Sequence, residues 1–154
     1  MNLIELEDRA KQSARATIDS GSEHPPLFFV ITSGGGTAVL APCSELDERF
    51  KGIFQEVVSR ILKKIRAAGY VFVFEGYLAT GGAAEKACRD NRQISSLPPD
   101  DREEALVIIS SMRGGPASLQ YAVISRYAGR RTLGEFQTPP GVTGVGGRML
   151  VTEW

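Results

Sequence analysis

Histidine, tryptophan and cysteine are scarce in this chain. Its 154 residues include one histidine, one tryptophan and two cysteines. Cys43 and Cys88 lie far apart in the sequence and match no metal-binding or redox spacing. A cysteine-based metal site is therefore excluded, and any mechanism that needs a histidine base must use His24. We expect both thiols to be reduced, and we expect no metal and no other cofactor.

The sequence also lacks long apolar runs and a basic N-terminal segment. Residues 1–8 are acidic, so they do not read as a signal peptide. No apolar run approaches the ~18 residues that a membrane-spanning helix needs. These features predict a soluble, cytoplasmic protein with no membrane partner.

Net charge is absent as well, with 18 basic and 18 acidic residues. This balance argues against binding a polyanion by bulk electrostatics. The distribution is uneven, because residues 1–104 carry 13 Lys and Arg against 16 acids, whereas residues 105–154 carry five Arg and two acids. Such an asymmetry favours an acidic partner, but ordinary scatter explains it equally well.

Two segments have the apolar periodicity of helices. An N-terminal helix is predicted over 3–19, with a thin apolar stripe and Gly21 after its end. A long central helix is predicted over 45–68, where ten apolar residues recur at helical spacing. Ser44 and Asp47 form a capping pattern at its start, and Gly69 is expected to end it.

The remaining pattern is that of short strands joined by turns. A hairpin is expected from two apolar runs, 27–32 and 37–41, around a glycine loop. Residues 70–78 alternate like a strand, and a meander of three or four strands is expected in 105–154, with the fourth over 148–154. Between them, residues 79–103 show little pattern and predict a long mobile loop.

This order of elements, α-β-β-α-β-β-β-β, predicts one α+β domain over 1–154. An antiparallel sheet of about six to seven strands should pack against the central and N-terminal helices. The order is similar to that of many small bacterial and phage proteins, a resemblance of architecture that assigns no role to any residue.

Weak catalytic candidates are His24 and several carboxylates. His24 precedes two prolines at the entry to a strand, where it is either a base or a locally bonded loop residue. Glu75 lies within an apolar strand and must be paired, exposed or part of a site. By strand parity Glu75 and Arg126 point to the same side of the sheet, so a direct ion pair between them is predicted if their strands are neighbours. A divalent cation needs several carboxylates, and six are available. They are Glu75, Asp100, Asp101, Glu103, Glu104 and Glu135.

One short motif bears on that metal hypothesis. Glu135-Phe136-Gln137, downstream of Pro99-Asp100, resembles the acid-x-lysine element of metal-dependent nucleases, with Gln137 in the place of the lysine. The resemblance implies that Asp100 and Glu135 are metal-binding carboxylates.

The C-terminal half carries arginines suited to bidentate pairing with carboxylate or phosphate. These binding candidates are Arg126, Arg130, Arg131 and Arg148. On the same strand, Tyr121 and Tyr127 have the parity of core residues, so they should point away from Arg126. This separation of rings and charge argues against a nucleic-acid partner.

Both faces of the predicted sheet are apolar, which is more than a solvated face requires. Either the N-terminal helix or a second copy of the chain should cover the second face. The favoured reading is a non-enzymatic binding or assembly protein that acts through protein contacts and forms homo-oligomers. The alternative is a small divalent-metal-dependent hydrolase or nuclease.

Overall fold

A computed structural model describes residues 1–41, 48–79, 81–139, 151, 153 and 154. The described elements are α1 (Leu3–Asp19), β1 (Leu27–Thr32), β2 (Thr37–Leu40), α2 (Glu48–Lys64), β3 (Ala67–Leu78), α3 (Gly81–Arg89), β4 (Glu103–Met112), β5 (Ala117–Tyr127) and β6 (Arg130–Leu133). The predicted capping pattern of the central helix and most of the last predicted strand, 148–154, lie outside the described residues.

The six described strands form one antiparallel sheet in the order β2-β1-β3-β4-β5-β6. β1 stands between β2 and β3, so α2 crosses over it to connect two parallel strands. The predicted α+β class is confirmed, with helices packed against an antiparallel sheet. Among the described residues, no helix is long and apolar enough to cross a membrane.

One face of the sheet packs against α2 and the C-terminal residues. Its core is rich in aromatic rings, with Phe28 stacked on Phe72 at 4.1 Å and the Phe54 ring 5.3 Å from Phe72. The Tyr70 hydroxyl donates to the Val151 carbonyl at 2.8 Å. Burial raises the pKa of Tyr70 to about 12. The chain end is therefore held in the core by a buried hydrogen bond.

The other face packs against α1. This helix begins at an Asn2–Glu5 capping box and buries one side chain per turn against the sheet. Those side chains are Leu6, Ala10, Ala14 and Ile18. Two of the four are alanines, which lets the helix approach the strands closely. The N-terminal helix and a second copy of the chain were the two predicted covers for this face, and in the structure α1 covers it.

The boundary between α2 and β3 was predicted wrongly. α2 ends at Lys64 rather than residue 68, Arg66 turns the chain with φ 53°, and Gly69 lies inside β3. A Cβ at Gly69 would stand 2.6 Å from the Met112 sulfur and 3.1 Å from the Ser111 carbonyl oxygen. Gly69 is thus needed for close packing between β3 and β4. In the sequence alone, such a glycine looks the same as one that ends a helix.

Residues 79–103 contain more regular structure than their pattern suggested. α3 lies within this range, and two single 3₁₀ turns follow at Ile94–Ser96 and Pro99–Asp101. Ala87 and Leu97 are buried and fasten the segment to the domain. Its mobility stays a prediction.

Candidate functional site

A charged network lies at one end of the face that α1 covers. Arg131 of β6 bonds Glu75 of β3 at 2.5 Å and Glu104 of β4 at 3.0 Å. Glu104 also accepts two hydrogen bonds from Arg126 of β5, both at 3.0 Å. Two carboxylates and two guanidinium groups balance in charge. This arrangement ties four strands together beyond the last turn of α1.

His24 joins the network through its backbone. Its N–H donates to Glu75 Oε1 at 2.5 Å, and Arg131 donates to the Ser22 carbonyl at 2.8 Å. The imidazole is only 4% exposed, and its Nδ1 has no hydrogen-bond partner among the described residues. Burial is the main cause that lowers the pKa of His24, so the ring is favoured in its neutral form. These bonds fix the connection between α1 and β1, which is a structural role.

The predicted direct ion pair between Glu75 and Arg126 does not form. β4 separates β3 from β5, so Glu75 reaches Arg131 and Arg126 reaches Glu104. Both arginines do face the same side of the sheet. The hydrogen bond from Arg126 is the largest of the causes that lower the pKa of Glu104.

The arginine candidates do not form a free basic surface. Arg131 is buried and paired with Glu75 and Glu104, although its Nε has no hydrogen-bond partner among the described residues, and Arg126 is paired with Glu104. Arg130 is exposed at the β5–β6 turn, and Arg148 lies outside the described residues. Tyr127 was expected to face the core but is 85% exposed, because β5 extends past the covered part of the sheet to this turn.

The carboxylate candidates do not assemble into a metal site. Within the described ranges, which include all six of them and His24, no three His, Cys, Asp or Glu side chains are grouped to hold a metal ion. Asp100, Asp101 and Glu103 line an open groove of about 300 Å³, while Glu75 and Glu135 lie elsewhere. The described carboxylates thus lack the grouping on which the metal hypothesis depends.

A different feature stands out at the opposite edge of the sheet. β2 is the last strand on its side, and its residues Thr37–Leu40 carry no charged side chain. In the β1–β2 hairpin the Thr32 N–H donates to the Gly36 carbonyl at 2.8 Å. Because hydrogen-bonded and non-bonded pairs alternate in an antiparallel ladder, Ala38 and Leu40 turn their backbone groups toward β1. Thr37 and Val39 therefore turn theirs outward, where no described strand pairs with them.

The helix beside this edge carries exposed apolar side chains. Ile53 is 53% exposed and Ile61 38% exposed, with half-buried Val57 between them on the same flank of α2. They adjoin the buried row of Phe54, Val58 and Leu62. An exposed apolar stripe that none of the described residues covers is a feature of contact surfaces.

The stripe faces the β2 side. On the other flank of α2, the Ser59 hydroxyl bonds the Glu153 carbonyl, and the C-terminal residues lie toward β3 and the β4–β5 turn. The flank that carries Ile53 and Ile61 therefore looks toward β2. We call the open backbone of β2, exposed Val39 and the stripe of Ile53, Val57 and Ile61 the edge surface.

The sequence pattern placed all ten apolar residues of the central helix in one stripe, without separating buried from exposed positions. One signal of the edge surface was nevertheless present. A helix that rests on a sheet buries a row such as 54, 58 and 62, whereas a second row at 53, 57 and 61 makes the apolar stripe wider than that contact requires. The open strand edge carried no comparable signal, since strand order cannot be read from the pattern.

Comparisons with protein-family models, curated proteins and solved structures gave no match for this chain. Relatives therefore contribute no residue role and no activity.

Proposed function

We propose that this chain is a non-enzymatic binding or assembly protein that acts through protein contacts at the edge surface. The observation that carries the proposal is the open, uncharged edge of β2 beside exposed Ile53 and Ile61. The charged network does not favour an enzyme, because its carboxylates are held by arginines and its histidine bonds through the backbone.

The chemistry of the edge supports strand pairing with a partner. Unpaired N–H and C=O groups along a strand are a template for another strand, and proteins usually block them with lysine, proline or a covering loop. None of the four residues of β2 is charged or a proline. Main-chain bonds would supply the pairing, and the neighbouring apolar side chains would supply buried area.

Site-specific photo-crosslinking tests the proposal. A photoreactive phenylalanine analogue placed at Val39 should give a discrete covalent adduct when the chain is made in its native cells. Ile4 provides a matched control, because it is 75% exposed and apolar but lies on α1 rather than at the edge of β2.

The adduct at position 39 should vanish when Ile53 and Ile61 are both changed to Lys, whereas position 4 should give none. Adducts of equal yield at both positions, or none at position 39, would contradict the proposal. The mass of the adduct separates a second copy of this chain from another protein.

A further inference from the structure

We infer that the partner at the edge surface is an acidic extended segment, with large apolar side chains in its middle and a carboxylate at the end that lies beside Thr37. The inference rests on the proposed function and specifies the chemistry of its partner. It is carried by the charges that border the edge surface, which are positive at the end nearest the β1–β2 turn.

The C-terminal end of α2 lies beside the Thr37 end of β2. The Ser33 N–H, in the turn between β1 and β2, donates to the Arg66 carbonyl at 2.8 Å. Thr32 at the end of β1 pairs with Ala67 at the start of β3. Thr37 is the first residue of β2 after the same turn. The chain that leaves α2 therefore passes the end of the hairpin at which the open edge of β2 begins.

This end of the edge surface carries three cations. Lys63, Lys64 and Arg66 are exposed, and none of them forms an ion pair with a described residue. Lys64 follows Ile61 by three residues, so it continues the stripe on the same flank of α2. The stripe is therefore apolar along its length and positively charged where it ends beside the turn.

The acids described on and against α2 do not balance these cations. Glu56 is already bonded to Arg60 at 2.6 Å. Glu153 lies on the other flank of the helix, where its carbonyl accepts a hydrogen bond from Ser59. The carbonyl end of the helix dipole is equivalent to about half of one negative charge, which is small against three cations. A carboxylate from a partner would therefore meet a positive potential at this end.

A strand added to β2 comes within reach of both the stripe and these charges. α2 lies over β1 and β3, because the Phe54 ring is 5.7 Å from Phe28 and 5.3 Å from Phe72. A helix with its side chains is about 10–12 Å wide, so the flank with the stripe extends most of the way from β1 to β2. The added strand lies about 4.8 Å beyond β2. Large apolar side chains of that strand can fill this space, and the long stem of Lys64 reaches a carboxylate beside them.

Short peptides test the inference. One probe alternates threonine with leucine and has glutamate at both ends, on the same face as the leucines, so that an acid meets the basic end in either strand direction. The second probe has lysine in place of both glutamates. Acetylated and amidated termini remove the end charges from both. The wild-type chain should bind the glutamate probe about 5- to 30-fold more tightly, since attraction to Lys64 and Arg66 is replaced by repulsion in the lysine probe.

Charge reversal on the protein should reverse this preference. Lys64→Glu combined with Arg66→Glu should favour the lysine probe. Lys86→Glu combined with Arg89→Glu is the matched control, because these exposed basic residues lie on α3, which follows the other end of β3. Val39→Pro removes an outward N–H of the edge and should weaken both probes alike. Probes with N-methylated amides make the same test on an unchanged protein.

Titrations followed by the backbone amide chemical shifts of β2 measure both affinities and locate the bound probe. Thermal melts verify that the variants fold. Equal affinities for the two probes, a preference that survives the reversal at Lys64 and Arg66, or no binding of either probe at about 1 mM would overturn the inference. In each case a photo-adduct at position 39 with a strand that lacks an acid would leave the proposed function standing, whereas the absence of any adduct would remove both.

Discussion

Replacing Arg131 should strongly lower the free energy of unfolding. Its side chain is 6% exposed and bonds the Ser22 carbonyl, Glu75 and Glu104. Arg131→Met keeps the aliphatic volume but leaves the Glu75 carboxylate, itself 17% exposed, with only the His24 N–H. Removing one partner of a buried ion pair costs about 3–5 kcal/mol. We expect about 3 kcal/mol of unfolding free energy, the lower end, because Glu104 keeps Arg126 and Glu75 keeps some contact with water.

A double-mutant cycle isolates the pair from the rest of the network. Glu75→Gln removes the charge that Arg131 leaves behind, so the double variant should be less destabilised than the sum of the single changes, with a coupling of about 1–3 kcal/mol. Urea unfolding followed by the fluorescence of Trp154, the single tryptophan and a buried one, provides the measurement.

Arg126 supplies the matched control for this cycle. It lies on the same side of the sheet, but its bonds go to Glu104 and its side chain is 60% exposed. Glu75→Gln and Arg126→Met should therefore be additive within the error of the measurement. A coupling between Glu75 and Arg126 as large as that between Glu75 and Arg131 would refute the assignment of partners.

Three further predictions concern titration and exposure. Because burial lowers the pKa of His24 below its ordinary 6.5, the neutral ring stabilises the fold above that pH; stability should fall as the pH drops below about 6.5, and His24→Gln should flatten this part of the pH–stability curve. Because the pKa of Tyr70 is raised from 10.0 to about 12, stability should fall as the pH rises from 10 to 12, and Tyr70→Phe should abolish that fall while destabilising the protein at neutral pH by about 1–3 kcal/mol through the unpaired Val151 carbonyl. Trypsin should cleave first at the exposed basic residues of 79–103. Initial cleavage within α2 would contradict this prediction, because it would show that residues 79–103 are better protected than α2. The exposed sites of the segment are Lys86, Arg89 and Arg92.

Periodicity correctly predicted the helix that packs through one face and has a clear end signal. α1 was predicted with its observed limits, because its buried side chains follow helical spacing and Gly21 follows directly. Periodicity failed where a glycine served tertiary packing. Gly69 looks like a helix end in sequence, whereas its lack of a side chain is required by Met112 on the neighbouring strand.

Prediction of the residues in the charged network was also limited by long-range contacts that the sequence pattern does not show. Glu75 could be recognised as unusual from its apolar strand alone, and the parity of Arg126 on its own strand was read correctly. Their partners could not be predicted, because the spatial order of β3, β4 and β5 is set by long-range pairing. Arg131 was predicted to be a binding arginine, yet β6 brings it into the buried end of the sheet.

Coverage of the second sheet face by α1 also changes where the proposed protein contact would lie. A second copy was one of two possible covers for that face, and with α1 in place the available apolar area lies beside β2 instead. Pairing of two four-residue strands is marginal by itself, because short two-stranded contacts bury little. A partner strand on β2 therefore has to gain most of its binding energy from the stripe on α2, so that changing Ile53 and Ile61 to Ser should weaken partner binding more than changing Thr37 to Ser.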